Sequence, residues 1–480
     1  MGEQPSETIV VESTKTACAR DIADWTSEWV RSAASAPNPV QRSVLKTGRN
    51  LRFAEHAGDV ETGEFVLKGE DGSRTRALKW SNDTVTASIS ADEECVLEEY
   101  LYSKFSCSGI DICPQDVSPY HYPADTSPGL PYIQYGIKRK DEVAAVYSMH
   151  DLIEAGRIQT ERGDAPMFEF AKVEPTKKHK AVRTIMCYPF HVHCYLLSYL
   201  LSFSELVKSL KHSAIGWSKW RCGVNDLCDR MKAAYICEVD ARAFDSTLPN
   251  CLVELALRVY FSLFTNISAE EASSIIRTII SGLVFSSSGE VYFKPGGNSS
   301  GSPITTELNT VVHILLFLLA YYRKFGTTDG FDDYFKQFYG DDVFWETDGD
   351  LMPSDLIKYL SDMPVKYPEE SIKINHSPEG LTFLGCTFYK KEGCPFWLWR
   401  PAKPKKMLAT LKYCEKNDHY VELGLELSRV RGILLDCAWD QQLWNLLYPY
   451  QLVLEAAGAS EGVVGRRVNR DFVQWLTFGI

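Results

Sequence analysis

The chain of 480 residues has no CxxC pair, although it contains 14 cysteines. Scattered thiols of this kind fit a reducing, cytosolic compartment better than a disulfide framework. A surplus of positive charge is also missing. The 51 Lys and Arg stand against 63 Asp and Glu, and a net charge of −12 argues against a simple nucleic-acid-coating protein. The longest apolar run, Val311 to Tyr322 (VVHILLFLLAYY), is too short to span a bilayer and contains His313, so a buried helix is expected there. The first residues lack the basic start and apolar middle of a secretory signal, and Gly2 with Ser6 is a loose myristoylation match. No internal repeat or low-complexity tract is present. The nearest thing to a metal cluster, Cys187, His191, His193 and Cys194, sits in a stretch with buried-helix texture and is expected to be core packing.

What is present is ordinary in bulk and uneven in detail. A 45% hydrophobic and 24% charged composition is that of a folded protein. Residues 1–50 are polar, with one expected helix in ARDIADWTSEWVRSAA. Residues 51–235 mix helices with Gly/Pro-punctuated loops, among them TSPGLPY at 126–132. From 235 the pattern changes to short strands (AYICEVD, GEVYFKP, LTFLGCTFYK) alternating with longer helices, and after about 400 helical spacing dominates. Residues 55–99 are rich in acid, whereas 172–183 carries Lys172, Lys177, Lys178, Lys180 and Arg183 against the single Glu174.

Four stretches carry candidate chemistry. KQFYGDDVFW (336–345) places Asp341 and Asp342 at a turn between two runs of strand-forming residues. CEVDARAFDSTLP (237–249) puts Asp240 at the end of an expected strand and Asp245 five residues on. If that strand lies beside the hairpin, Asp240 faces Asp341, and the pair would repel unless a cation lay between them; a hard ion such as Mg²⁺ suits such carboxylates. GGNSSGSPITTELNT (296–310) is a glycine-rich loop running into a long helix, with Ser300, Gly301, Thr305 and Asn309 able to hold a sugar and its phosphate. FAKVEPTKKHKAVRTIM (170–186) is a basic strand–loop–strand whose cations can screen a triphosphate. Each stretch alone also has a bland account: a turn, a helix cap, a linker or a solvated face.

In their order along the chain, these stretches resemble the motif series of the RNA-dependent RNA polymerases of positive-strand RNA viruses, over about residues 120–400. TSPGLPY looks like the loop through which template enters in that family, and LTFLGCTF like its primer-grip strand. FDSTLP, YGDD and GLTFLGC are similar to the astrovirus and calicivirus branches of the picornavirus-like group. The resemblance implies an α+β right hand of fingers, palm and thumb, with an antiparallel palm sheet backed by helices. Its expected parts are an N-terminal extension (1–50), fingers (51–235), a palm (236–395, with a fingers insertion near 265–295) and a helical thumb (396–480).

It also implies template-directed RNA synthesis by two-metal nucleotidyl transfer, with Mg²⁺ as the cofactor and Mn²⁺ as the alternative ion. Asp240, Asp341 and Asp342 would hold the metals. Lys172, Lys180 and Arg183 would meet the triphosphate, and Asp245, Ser300, Gly301, Thr305 and Asn309 the ribose. Of two lysines that compete for the family's general acid, Lys366 follows an expected helix and is favoured over Lys373. The implied partners are the RNA template, nascent RNA and NTPs, together with other viral replication proteins or a protein primer, at replication complexes in the host cytoplasm. The rival readings are a reverse-transcriptase-like polymerase and a non-catalytic RNA-binding scaffold.

Overall fold

The computed structural model describes residues 19–36, 40, 48–58, 60–67, 80, 83–178, 180, 182–287, 289–414, 420–459 and 467–478. Most of residues 1–50 lies outside this set, although the expected helix is present as Ala19–Ala34.

The elements that position the site are, in chain order, β1 (Met167–Ala171), β2 (Thr184–Cys187), helix α1 (Phe190–Ser209), β3 (Tyr235–Asp240), β4 (Gly282–Ser286), β5 (Val291–Lys294), helix α2 (Thr305–Phe325), β6 (Lys336–Tyr339), β7 (Asp342–Thr347), β8 (Lys373–Asn375), and helices α3 (Pro404–Lys412), α4 (Leu423–Asp436) and α5 (Gln441–Ala456). The fold is mixed helix and sheet. The central sheet has the order β8–β3–β7–β6 and is antiparallel throughout.

Alternation along these strands sends side chains to two different cores. Cys237, Val239, Phe338, Val343 and Trp345 pack into the main core with α2 and the helix Asn250–Phe261. Ile236 and Phe344 face the other way, onto Phe383, Phe388 and Trp399 of a three-stranded meander and onto Leu227. Both faces are therefore dry, and the aromatic runs beside the acidic turn account for it: Phe338, Phe344 and Trp345 are fully buried. Trp345 Nε1 also donates to Leu351 O at 2.7 Å.

A second sheet, β2–β1–β4–β5, pairs β1 with β4 in parallel across more than a hundred residues of chain. The segment LTFLGCTFYK does not form one strand. It breaks at Leu384 and Gly385, both at positive φ, into Thr382–Phe383 and Cys386–Lys390. The helix expected across residues 404–416 ends at Lys412, where Tyr413–Cys414 pairs as a strand with Gly48–Arg49.

Helix α2 has the length and hydropathy of a membrane span, but it is mostly buried in protein, with Leu308 to Ala320 continuously inside. It is a core helix. His191 is buried and meets the Tyr132 hydroxyl through Nδ1 at 2.8 Å, and no three His, Cys, Asp or Glu among the described residues form a metal cage. Cys194 packs in a hydrophobic cluster with Phe190 and Tyr132, and Cys187 against another.

Candidate active site

The acidic turn is a two-residue hairpin. Tyr339 pairs with Asp342, so Gly340 and Asp341 alone occupy the turn. Gly340 sits at φ +62°, which suits glycine at the first central position of a type II′ turn. Because the strand restarts at Asp342, the register places Asp342, not Asp341, directly opposite Asp240. The expected facing pair is thus shifted by one residue, with Asp341 held above it on the turn. Asp240 ends β3, exposed, and its N–H donates to Ser371 Oγ at 3.3 Å.

Crowding with other acids and loss of water raise both Asp341 and Asp342. Asp342 is pushed up to about 6, first by loss of surrounding water and then by the charges of Asp341 and Asp240, with Lys403 opposing. Asp341 is raised by the same loss of water and by Asp245 and Asp240, while Arg183 pulls it down. Mutual repulsion among oxygen donors that still reach solvent is the property expected of a site for a hard cation. An open set of carboxylates, not a closed cage, suits Mg²⁺, which keeps waters and takes substrate phosphates. The residues fit the ion.

Beside them, Asp245 begins a hydrogen-bonded chain. Asn309 Nδ2 donates to Asp245 Oδ1 at 2.6 Å, and Asn298 Nδ2 donates to Asn309 Oδ1 at 2.9 Å. The Asn298 N–H also donates to Asp245 O at 2.8 Å. Asn298 is completely buried, and the sequence reading missed it. Its signal was present in the same Gly/Ser stretch, but a single Asn there has no periodicity to mark it. Ser300 Oγ donates to Thr184 O at 2.9 Å, and Thr305 Oγ1 lies 2.8 Å from Ser299 O. In this conformation both hydroxyls shape the loop. Gly301 lacks a side chain for a steric reason, since a Cβ there would lie 1.9 Å from Met186 O on β2.

The basic segment comes near the turn through Arg183, whose charge acts on Asp341. Lys172 N–H donates to Arg183 O at 2.8 Å, so the two cations leave adjacent strands together. Both face Glu174, at 3.9 and 3.8 Å, and Lys406 of α3 reaches the same carboxylate at 3.3 Å. Lys180 is exposed on the intervening loop. Lys366 is exposed at the surface, with Nζ folded back 2.7 Å from Met363 O and 3.0 Å from Ser361 O. Lys373 forms an ion pair with the buried Glu238, which also accepts from Thr382 N–H at 2.7 Å.

The family description "Viral RNA-dependent RNA polymerase" matches residues 99–454. The non-structural polyprotein 1AB of ovine astrovirus 1 is 30% identical over 217 residues, which are 41% of this chain and 16% of that polyprotein. The same polyprotein of turkey astrovirus 1 is 28% identical over 214 residues, 40% of this chain and 13% of its own length. The genome polyprotein of Theiler's murine encephalomyelitis virus (strain BeAn 8386) is 24% identical over 314 residues, 61% of this chain and 13% of its length. This chain therefore spans 13–16% of these relatives. The family match covers well over half of the 480 residues, and the chain belongs to the viral RNA-dependent RNA polymerase family.

Proposed function

We propose that the protein copies an RNA template into RNA, extending a 3′-hydroxyl with NTPs and releasing pyrophosphate. The observation that carries this reading is the register of β3 against β7, which brings Asp240 opposite Asp342 with Asp341 on the adjoining turn. Asp240, Asp341 and Asp342 would hold Mg²⁺, with Mn²⁺ as the alternative ion. When bound, such ions stabilise the attacking and leaving oxygens of an in-line phosphoryl displacement.

The chain's own residues do the rest. Arg183 and Lys172 exchange Glu174 for the triphosphate, and Lys180 stands beside them on the rim. Asp245, oriented by Asn309 and Asn298, accepts from the ribose 2′-hydroxyl, the group that marks a ribonucleotide. Ser300, Gly301 and Thr305 fix the loop on which that network rests. Lys366 is the proton donor to the leaving pyrophosphate, because Lys373 is neutralised by Glu238.

In this reading the β8–β3–β7–β6 sheet is the palm (236–395, with a fingers insertion near 265–295). Residues 51–235 are fingers, 396–480 the thumb, and 1–50 an N-terminal extension. Template and nascent RNA, NTPs and other viral replication proteins or a protein primer are its partners, at replication complexes in the host cytoplasm.

The test is primer extension on a homopolymer RNA template, with NTPs or dNTPs, and with Mg²⁺ present or chelated. Mg²⁺-dependent incorporation of NTPs is expected. Preferential use of dNTPs would identify a reverse transcriptase, and RNA binding without incorporation would leave a scaffold.

A further inference from the structure

His313 is the one histidine in the longest apolar run and takes no part in the proposed phosphoryl transfer. It lies fully buried on α2, one helical turn beyond Asn309. Its Nδ1 is 3.0 Å from Gly340 O. A carbonyl can only accept, so Nδ1 carries a proton. Burial pushes the imidazole down to about 4, which keeps it neutral across the working range. Thr310, three residues earlier on the same helix face, accepts from the Gly340 N–H through Oγ1 at 2.8 Å. Its own hydroxyl proton goes to Thr306 O at 2.7 Å. Both polar groups of one turn residue are thus fastened to one helix.

The ring faces make further contacts. Phe244, the neighbour of Asp245, lies 4.6 Å from the imidazole, centroid to centroid. Tyr367, the neighbour of Lys366, stacks on it at 6.0 Å and 19°. Phe338 of β6 and Phe317 complete an aromatic cage at 5.3 and 5.4 Å. One buried imidazole therefore touches the residues adjoining Asp245, Asp341 and Lys366, while its helix carries Asn309.

We infer that His313 and Thr310 form a two-point clamp on Gly340 that sets the height of the Gly340–Asp341 turn, and so of Asp341, above the paired Asp342 and Asp240, so that His313 is a positioning residue for the carboxylate site. The inference rests on the proposed polymerase reading for its catalytic consequence, but not for its effect on metal binding. A glycine at a two-residue turn has no side chain to anchor it, and β7 fixes only the residues after it. Without the clamp the turn can rock about Tyr339 and Asp342. Misplacement of a reacting group by about an ångström can cost on the order of 10²-fold in rate.

The test uses the full chain with His313→Phe, which keeps the ring and removes the donor, and His313→Asn, whose amide nitrogen falls near the position of Nδ1. Mg²⁺ binding is measured calorimetrically without RNA or NTP, and single-nucleotide incorporation is measured across a Mg²⁺ series. His313→Phe should weaken Mg²⁺ binding about tenfold and lower kcat by about 10- to 100-fold, with KM for NTP close to wild type. His313→Asn should recover most of the Mg²⁺ affinity. A His313→Phe protein that binds Mg²⁺ as wild type does would overturn the clamp. If that variant does not fold, Thr310→Val, which keeps the shape and removes the acceptor, is subject to the same criterion. An inactive wild-type enzyme would refute the polymerase reading and leave the Mg²⁺-binding result to decide the clamp alone.

Discussion

Metal binding at the carboxylate site should depend on pH far more steeply than at an ordinary aspartate pair. A carboxylate binds a metal only when ionised, and Asp342 titrates near 6 instead of at 3.8. In ion-free protein at pH 5, about one Asp342 in ten would be ionised, against about nine in ten for an unperturbed group. The apparent Mg²⁺ affinity should therefore drop about tenfold between pH 7.5 and 5, and binding near pH 6 should release about half a proton.

The linked stability has the opposite sign to that of a salt-bridged acid. Between 3.8 and about 6 the folded protein holds a proton that the unfolded chain has lost, so ion-free protein gains stability as pH falls through that window. The full shift corresponds to about 3 kcal/mol, but both turn carboxylates reach solvent, and screening reduces this to about 1 kcal/mol. Calorimetric titration with Mg²⁺ at several pH values, in buffers of different ionisation enthalpy, reads both affinity and proton release. Asp342→Asn should flatten the profile. A wild-type affinity that changes less than about twofold over this range, with no proton released near pH 6, would refute the reasoning.

Asp240→Ala and Asp341→Asn should each abolish nucleotide incorporation yet leave thermal unfolding nearly unchanged, since both side chains are exposed at a strand end or turn; near-normal activity in either would remove it from the site. Asn309→Ala and Asn298→Ala should relax sugar choice, because Asp245 loses its orientation, and the ratio of NTP to dNTP efficiency should fall by about 10- to 100-fold of a ceiling near 10⁴. An unchanged ratio in both would place discrimination elsewhere. Neutralising Lys178 and Lys180 together should flatten the log–log salt dependence of single-stranded RNA binding by about one to one and a half units, irrespective of sequence; a slope equal to wild type would mean that these lysines lie outside the RNA path.

The parts of the site that were legible in sequence were those set by local pattern. Strand-forming flanks around Gly340-Asp341-Asp342, a strand ending at Asp240 and a long apolar helix after residue 304 all formed as their spacing required. Residues whose role depends on what distant chain brings to them were not legible. Lys138, Arg139 and Lys140 look alike in sequence, yet Lys140 is buried, with its ammonium 6.0 Å from the rings of Tyr122 and Phe190. Burial holds that ammonium below its usual range, so it does not belong with surface cations available to phosphate. Asn298 is decided in the same way, by a helix that folds back over its loop. The parallel pairing of β1 with β4 has no local signature at all.

The carboxylate of Glu426 has a consequence for how the chain must be made. This residue of α4 is almost wholly buried, and Asn50 Nδ2, Arg52 Nη1 and Tyr450 Oη each approach it at 2.5 Å. A lone buried charge is costly, and removing one partner of such a pair costs about 3–5 kcal/mol. The cation that neutralises it lies 374 residues earlier in the chain. Synthesis at about 5–20 residues per second leaves Arg52 waiting on the order of tens of seconds for its acid to emerge from the ribosome. During that interval Phe53 lacks Leu427 and Tyr450, with which it ends up in one core. Residues 50–53 therefore cannot complete their native contacts until residue 426 has been made, and a nascent chain stalled before it should present them to proteases and chaperones.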